Sequence, residues 1–105
     1  MAVEDGAALA EALNYAQDAS DMPRVLSTFE AIRRHRSGAM QQASFINGTI
    51  WHFPDGPEQR ARDLAMRSEV LGEPFEESPN QWSDPDTQKW AYGYDATEAI
   101  SAELR

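Results

Sequence analysis

Several features that stabilise or localise small proteins are absent from this sequence. It contains no cysteine, which excludes a disulfide framework and a thiolate metal site. No apolar run approaches the roughly 18 residues that suggest a membrane-spanning helix, and no signal-like segment opens the chain. The expected compartment is therefore the cytoplasm, and no membrane partner is expected.

Basic residues are scarce as well. Nine lysines and arginines stand against 18 acidic residues, which gives a formal net charge of −9. Because phosphate binding requires a basic surface, nucleic acid is not an expected partner. The single basic cluster consists of Arg33, Arg34, His35 and Arg36. We interpret it as a solvated helix face whose charges pair with nearby acids.

Large apolar side chains are also few in this sequence. Valine, isoleucine, leucine and phenylalanine contribute 17 of the 105 residues, below the roughly 20% typical of a chain that builds its own core. Much of the remaining hydrophobic fraction is alanine, which buries little area, and the high net charge opposes compaction. We therefore expect the chain to need a partner surface or a further part of a polypeptide.

The sequence does contain helical patterning, which predicts an all-α fold of about five helices. Alanine, leucine and glutamate dominate residues 2–17, which predicts the first helix. An apolar stripe with a spacing of three and four residues runs through 22–53, and it predicts one helix of roughly 48 Å. Asp21 is the expected N-cap of that helix, with Pro23 in its first turn. The stripe comprises Val25, Phe29, Ile32, Arg36, Ala39, Ala43, Ile46, Ile50 and Phe53.

Shorter helices are predicted after the long one. Asp55 and Glu58 resemble a capping box for a helix over 57–71, and Gly72 is its expected stop. Residues 72–82 are acidic, rich in proline and non-periodic, which favours an extended segment. The last two predicted helices and their caps are 84–92 with Ser83 and Asp86, and 96–104 with Asp95 and Glu98.

No segment shows strand alternation, and the chain has no internal repeat. We expect the main helices in residues 1–71 and an extended, aromatic tail in 72–105. Neither part contains a glycine-rich phosphate loop or a nucleophile motif at a recognisable spacing.

No residues stand at catalytic or metal-ligand spacing. His35 and His52 are seventeen positions apart, and neither has ligand spacing to an acid pair. Asn47–Thr49 matches the glycosylation pattern, but nothing directs the chain to the secretory pathway. We therefore assign no catalytic, cofactor-binding or metal-binding residue. The acidic loop residues, which we interpret as solvating charge, are Glu73, Glu76 and Glu77.

Aromatic residues cluster towards the C-terminus. The stretch QWSDPDTQKWAYGYDA places Trp82, Trp90, Tyr92 and Tyr94 within thirteen residues. Tryptophan and tyrosine combine a large apolar area with a polar tip. We interpret these rings as an anchor that docks the last helices onto a larger body, and a ring cage around a ligand is the alternative.

Several stretches together point to one enzyme family. The segment LSTFEAIRRHRSGAMQQAS carries an aromatic-Glu-x-x-Arg-x-x-Arg pattern that begins at Phe29 and ends at Arg36. MAVEDGAALAEAL fits the later part of an A-x-x-x-E-D-A-x-x-L-A helix, with Gly6 in place of the usual alanine. NGTIWHFPDGPEQRARD and PNQWSDPDTQKWAYGYDA add longer matches. The chain thereby resembles the C-terminal segment of FAD-dependent aromatic-ring monooxygenases, most closely the salicylate hydroxylase-like group. The consensus positions in the first helix are Glu4, Asp5, Ala7, Ala8, Leu9 and Ala10.

This resemblance implies FAD as the bound cofactor of the intact family, which uses NAD(P)H and O2 to hydroxylate aromatic or related substrates. It also implies that the chain corresponds to the last quarter of such an enzyme. The nucleotide fingerprint, the Gly-Asp flavin motif and most of the substrate pocket would then lie outside it. We expect the chain alone to be inactive and to bind no cofactor, with the missing N-terminal FAD-binding region as its partner.

A second hypothesis is a free-standing helical module that binds another protein through the apolar face of the long helix. Its motivation is the length of the apolar stripe, since exposed apolar patches mark interfaces. An independent enzyme is the third hypothesis, which the lack of a spaced catalytic set disfavours.

Overall fold

The computed structural model describes all 105 residues, Met1–Arg105, as helices joined by turns, with no strand. The α-helices are α1 (Ala2–Asn14), α2 (Met22–Trp51), α3 (Pro57–Ala65), α4 (Arg67–Val70), α5 (Pro85–Tyr92) and α6 (Ala96–Leu104), and 3₁₀ turns occupy Ala19–Asp21 and Gln81–Ser83. The predicted all-α class is confirmed. The long helix, predicted over 22–53, is also confirmed and ends two residues earlier, at Trp51.

The chain forms two compact units, which are described separately. Unit 1 contains Met1–Met40 and Asp95–Arg105, and unit 2 contains Gln41–Tyr94. Helix α2 supplies its first part to unit 1 and its last part to unit 2.

Unit 1 has a small apolar core in which α1 packs against α6. Its fully buried large side chains are Val25 from α2 and Ile100 from α6. The Ser101 hydroxyl also donates a 2.7 Å hydrogen bond to Glu11 across the same pair of helices. The small side chains that complete this core are Ala8, Ala12 and Ala96.

The connection between α1 and α2 differs in detail from the prediction. Helix α1 ends at Asn14 rather than near residue 17. The Asp21 carboxylate accepts a 2.8 Å bond from the Gln17 N–H, so it closes the preceding turn and does not cap α2 as predicted. Asp18 accepts from the Ser20 N–H at 2.8 Å, which completes a local capping box. The N–H groups of Gln17 and Ser20 thereby find acceptors without a further helical turn.

Helix α3 begins without the predicted capping box. Its N-cap is Gly56, which offers no side-chain acceptor, and Pro57 occupies the first helical position. The expected roles of Asp55 and Glu58 are therefore wrong. Proline tolerates this start because its missing N–H would have had no helical partner in any case.

The predicted helix over 57–71 is interrupted at Met66, which separates α3 from α4. Backbone bonds from Met66 N to Arg62 O and from Val70 N to Met66 O continue across the interruption. The predicted stop at Gly72 is confirmed, because that residue has a φ of +73°. Glycine adopts this left-handed conformation without the steric penalty that a Cβ imposes.

The predicted N-cap of α6 is confirmed, whereas the predicted caps of α5 are wrong. Asp95 caps α6 by accepting from the N–H groups of Thr97 and Glu98, both at 3.0 Å, as predicted for 96–104. Helix α5 is capped by Asp84, which accepts from the Thr87 N–H at 2.8 Å. The predicted caps of α5, Ser83 and Asp86, are therefore wrong by one and two positions.

Unit 2 has little core of its own. Its only buried apolar residues are two alanines, Ala43 and Ala91. Arg62 of α3 donates a 2.9 Å bond to the Ile50 carbonyl near the end of α2, and its guanidinium lies 5.9 Å from the Trp51 ring centre. Polar and cation–π contacts therefore join α3 to α2 where large apolar contacts are few.

Candidate functional site

The most organised group of charged residues is a buried arginine pair in unit 1. Arg33 and Arg36 are each only 4% exposed, which overturns the interpretation of the whole basic cluster as a solvated face. The two residues are three positions apart on α2, so their side chains leave the same face of the helix. Arg34 and His35 are exposed, as expected for that half of the cluster.

Carboxylates from α1 pair with both arginines. The Arg36 Nε and Nη2 atoms each lie 2.9 Å from a different oxygen of Glu4, which makes a bidentate pair. The Nη2 atom of Arg33 lies 3.0 Å from Glu4, and its Nε lies 2.7 Å from Asp5. We call these four residues the Glu4–Arg36 cluster, and bidentate contacts make it geometrically specific.

The positions of the acids in α1 favour this arrangement. Glu4 and Asp5 occupy the first turn of the helix, where the positive end of the helix dipole stabilises negative charge. The cluster connects residues 28 to 32 positions apart in the chain. It therefore fixes how α1 lies on the first part of α2.

The cluster changes the acidity of one member markedly. The side-chain hydrogen bond from Arg36, with a further bond from Arg33 and the charges of both, lowers the pKa of Glu4 from its ordinary 4.5 to about 2. A carboxylate held ionised in this way is a poor proton acceptor near neutral pH. The arrangement is suited to holding two helices together, not to acid–base chemistry.

A pH dependence of stability follows from this pKa. A carboxyl group whose pKa is lower in the folded than in the unfolded chain stabilises the fold above the unfolded pKa, and this contribution is lost as the pH falls through the folded pKa. For Glu4 the window extends from about pH 4.5 down to about 2, and the contribution is at most about 3 kcal/mol. Urea unfolding of the wild-type chain and of Glu4→Gln across this window measures it. The difference in the free energy of unfolding between the wild-type chain and Glu4→Gln should become smaller as the pH falls. A difference that stays constant across the window would contradict the prediction.

The two histidines lie at the surface of the chain. His35 and His52 are both exposed, and Nδ1 of His52 lies 2.7 Å from the Gly48 carbonyl oxygen. No group of three or more histidine, cysteine, aspartate or glutamate side chains is arranged to hold a metal ion.

The acidic segment of unit 2 lines a cavity of about 460 Å³, whose walls include Phe75, Glu76, Glu77 and Asp84. Glu73, Glu76 and Glu77 are exposed, as expected. Glu69, which carries no recognisable signal in the sequence, accepts hydrogen bonds from Ser78 and Ser83. These bonds, that of Ser78 foremost, lower the pKa of Glu69. Glu69 thereby ties the extended segment and the following 3₁₀ turn to α4.

Two rings of the aromatic tail, those of Trp82 and Tyr92, lie close together. The ring centres of Trp82 and Tyr92 lie 6.3 Å apart with planes inclined by 39°. Trp90 and Tyr92 are among the exposed large side chains of unit 2. The role of the tail as an anchor stays a prediction.

A second feature without a signal in the sequence is an apolar groove in unit 2, with a volume of about 610 Å³. Its apolar walls come from the end of α2 and from the helices α3 and α4 with the residues that flank them. Its charged residues are Asp63 and Arg67. The apolar residues lining this groove are Trp51, Leu64, Met66, Val70 and Leu71.

No known protein-family model matches this chain. The FAD-dependent monooxygenase OpS4 of Beauveria bassiana (strain ARSEF 2860) is 41% identical over 95 residues, which are 90% of this chain and 22% of the relative. This chain is thus related to a segment of a FAD-dependent monooxygenase, and it spans about a fifth of the curated relative that it matches. None of its helices combines the length and the apolar character needed to cross a membrane.

The residues of this chain do not fit FAD on their own. The pyrophosphate of a dinucleotide requires free N–H groups or cations. The first turn of α1 instead carries Glu4 and Asp5, and the acidic cavity of unit 2 is lined by carboxylates. The apolar groove has Arg67 as its only cation, beside Asp63.

Proposed function

We propose that this chain acts as the C-terminal helical segment of a FAD-dependent monooxygenase of the aromatic hydroxylase type, close to salicylate hydroxylases. In this proposal the segment packs against a flavin-holding body, and that body carries out the reaction with NAD(P)H and O2. The observation that carries the proposal is the 41% identity over 90% of the chain. A cytoplasmic location, without nucleic-acid, membrane or metal partners, is part of the same proposal.

The uneven packing of the chain supports a structural role. Unit 1 buries Val25, Ile100 and two arginines, whereas unit 2 leaves most of its large apolar residues exposed. A helical segment with such a surface is expected to cover another body, because large exposed apolar patches mark interfaces. The exposed large apolar residues of unit 2 are Phe45, Ile46, Trp51, Leu64, Val70, Leu71, Phe75, Trp90 and Tyr92.

A chimera tests the proposal. The 95 residues of the Beauveria relative that match this chain are replaced by the corresponding residues of this chain, and the flavin content of the purified product is measured. The chimera is expected to bind FAD and to oxidise NAD(P)H, because the flavin-holding body is intact and its helical support is restored. The matched control is the relative with the same residues deleted, which should lose flavin.

The chain by itself provides the complementary result. Purified alone, it should be colourless and should show no micromolar affinity in a FAD titration, because its carboxylate-lined surfaces do not suit a pyrophosphate. A yellow preparation of the isolated chain would contradict this. A chimera without flavin, beside a well-folded isolated chain, would instead favour a free-standing interaction module.

A further inference from the structure

We infer that the apolar groove of unit 2 is the surface through which this segment docks, and that its occupant is an apolar stretch of the flavin-holding body that carries a carboxylate. This inference rests on the proposed function and deepens it, because it identifies the contact surface and the chemistry of the partner segment.

Exposure of large side chains in one place is the first argument. Leu64 is 71% exposed, Val70 76% and Leu71 57%, and all three line the same groove beside Trp51. Single exposed apolar residues are ordinary on a protein surface, whereas a contiguous apolar concavity marks a binding site. A groove of about 610 Å³ accommodates several side chains of a partner segment.

The charges at the groove supply the second argument. The carboxylate of Asp63 is engaged by Arg62 at 2.7 Å. The guanidinium of Arg67, which is exposed, makes no ion pair within the chain. An apolar groove with one unengaged cation is complementary to an apolar segment with one carboxylate, since a bidentate contact with arginine adds specificity.

The identity of the occupant follows from charge and length. A second copy of this chain is disfavoured because each copy carries a net charge of −9, and charges of one sign oppose self-association. About four fifths of the relative lies outside the matched part. The flavin-holding body is therefore the partner that the groove is expected to meet.

Thiol labelling tests the inference, because the chain has no cysteine of its own. Leu64→Cys places a thiol in the groove, and Glu58→Cys places a control thiol on an exposed position of the same helix. Each variant is labelled with a maleimide in the isolated chain and in the chimera, and mass spectrometry reads the modified peptide. Labelling at position 64 should slow by at least about tenfold in the chimera, whereas position 58 should change little.

A charge reversal tests the cation. Arg67→Glu in the chimera should lower the temperature of flavin release, whereas Arg34→Glu, at an exposed position of α2, should not. Equal effects of the two reversals would overturn the assigned role of Arg67.

The outcomes separate the two proposals. A chimera that folds, as judged by circular dichroism and gel filtration, but carries no flavin refutes the proposed function. A flavin-bound chimera in which the position 64 thiol labels as fast as in the isolated chain refutes the docking surface and leaves the proposed function standing. Protection of that thiol in the isolated chain that grows with protein concentration identifies a second copy as the occupant and also overturns the inference.

Discussion

Replacing Glu4 with glutamine is expected to lower the free energy of unfolding of unit 1 by about 3–5 kcal/mol, the cost of breaking a buried ion pair by removing one partner. Glu4 faces two guanidinium groups from arginines that are 4% exposed. The amide of glutamine has nearly the same size but no charge. Arg36 would therefore lose its bidentate contact with a carboxylate, and Arg33 would lose one of its two carboxylate partners. Because Glu4 is itself 28% exposed, the loss should lie towards the lower end of that range.

The matched control for this substitution is Glu30→Gln. Glu30 is exposed on α2, so Glu30→Gln should change the free energy of unfolding by no more than about 0.5 kcal/mol. Urea denaturation followed by circular dichroism, with hydrogen exchange to locate the change in α1 and α2, gives both values. Equal small losses for the two variants would mean that the arginines do not depend on Glu4.

Truncating Ile100 to alanine is expected to cost about 2–5 kcal/mol, as for other large-to-small changes in a core. Ile100 is fully buried where α6 faces α1, and Val25 is the only other fully buried large side chain. Since the neighbouring core residues are mainly alanines, little flexible side-chain volume is present to fill the cavity. Ile100→Val should cost less, about 0.5–1.5 kcal/mol.

Leu64→Ala is the informative comparison for Ile100→Ala. It removes a similar apolar side chain from unit 2, where Leu64 is 71% exposed. In the isolated chain its cost should be within about 0.5 kcal/mol, because little buried area is lost. If thermal or urea unfolding gave Leu64→Ala the same loss as Ile100→Ala, the assignment of the core to unit 1 would be wrong.

Long-range periodicity made the largest features predictable. The stripe that begins at Val25 gave the 30-residue helix α2 to within two residues, because many consecutive positions share one helical period. The stop at Gly72 was equally predictable, since few residues other than glycine adopt a positive φ there.

It was less predictable which of several neighbouring polar side chains caps a helix. The region before α5 offers Ser83, Asp84 and Asp86 as acceptors, and only the geometry of the turn selects Asp84. Asp21 likewise has the chemistry of a helix cap, but its carboxylate bonds to the preceding turn instead.

Features assembled from distant positions could not be read from the sequence. Burial of Arg33 and Arg36 depends on acids about thirty positions away in α1. The groove likewise exists only when the end of α2 meets α3 and α4. The resemblance to a flavin monooxygenase was nevertheless accessible, since it depends on sequence identity and not on packing.

The central proposal is that this chain supports a flavin-holding body and contributes no flavin contacts sufficient for binding by itself. The most direct measurement is the molar ratio of FAD to polypeptide after gel filtration, determined for the chimera and for the isolated chain. The account predicts a ratio near that of the intact relative for the chimera and no flavin for the isolated chain. Flavin on the isolated chain, or none on a folded chimera, would contradict it.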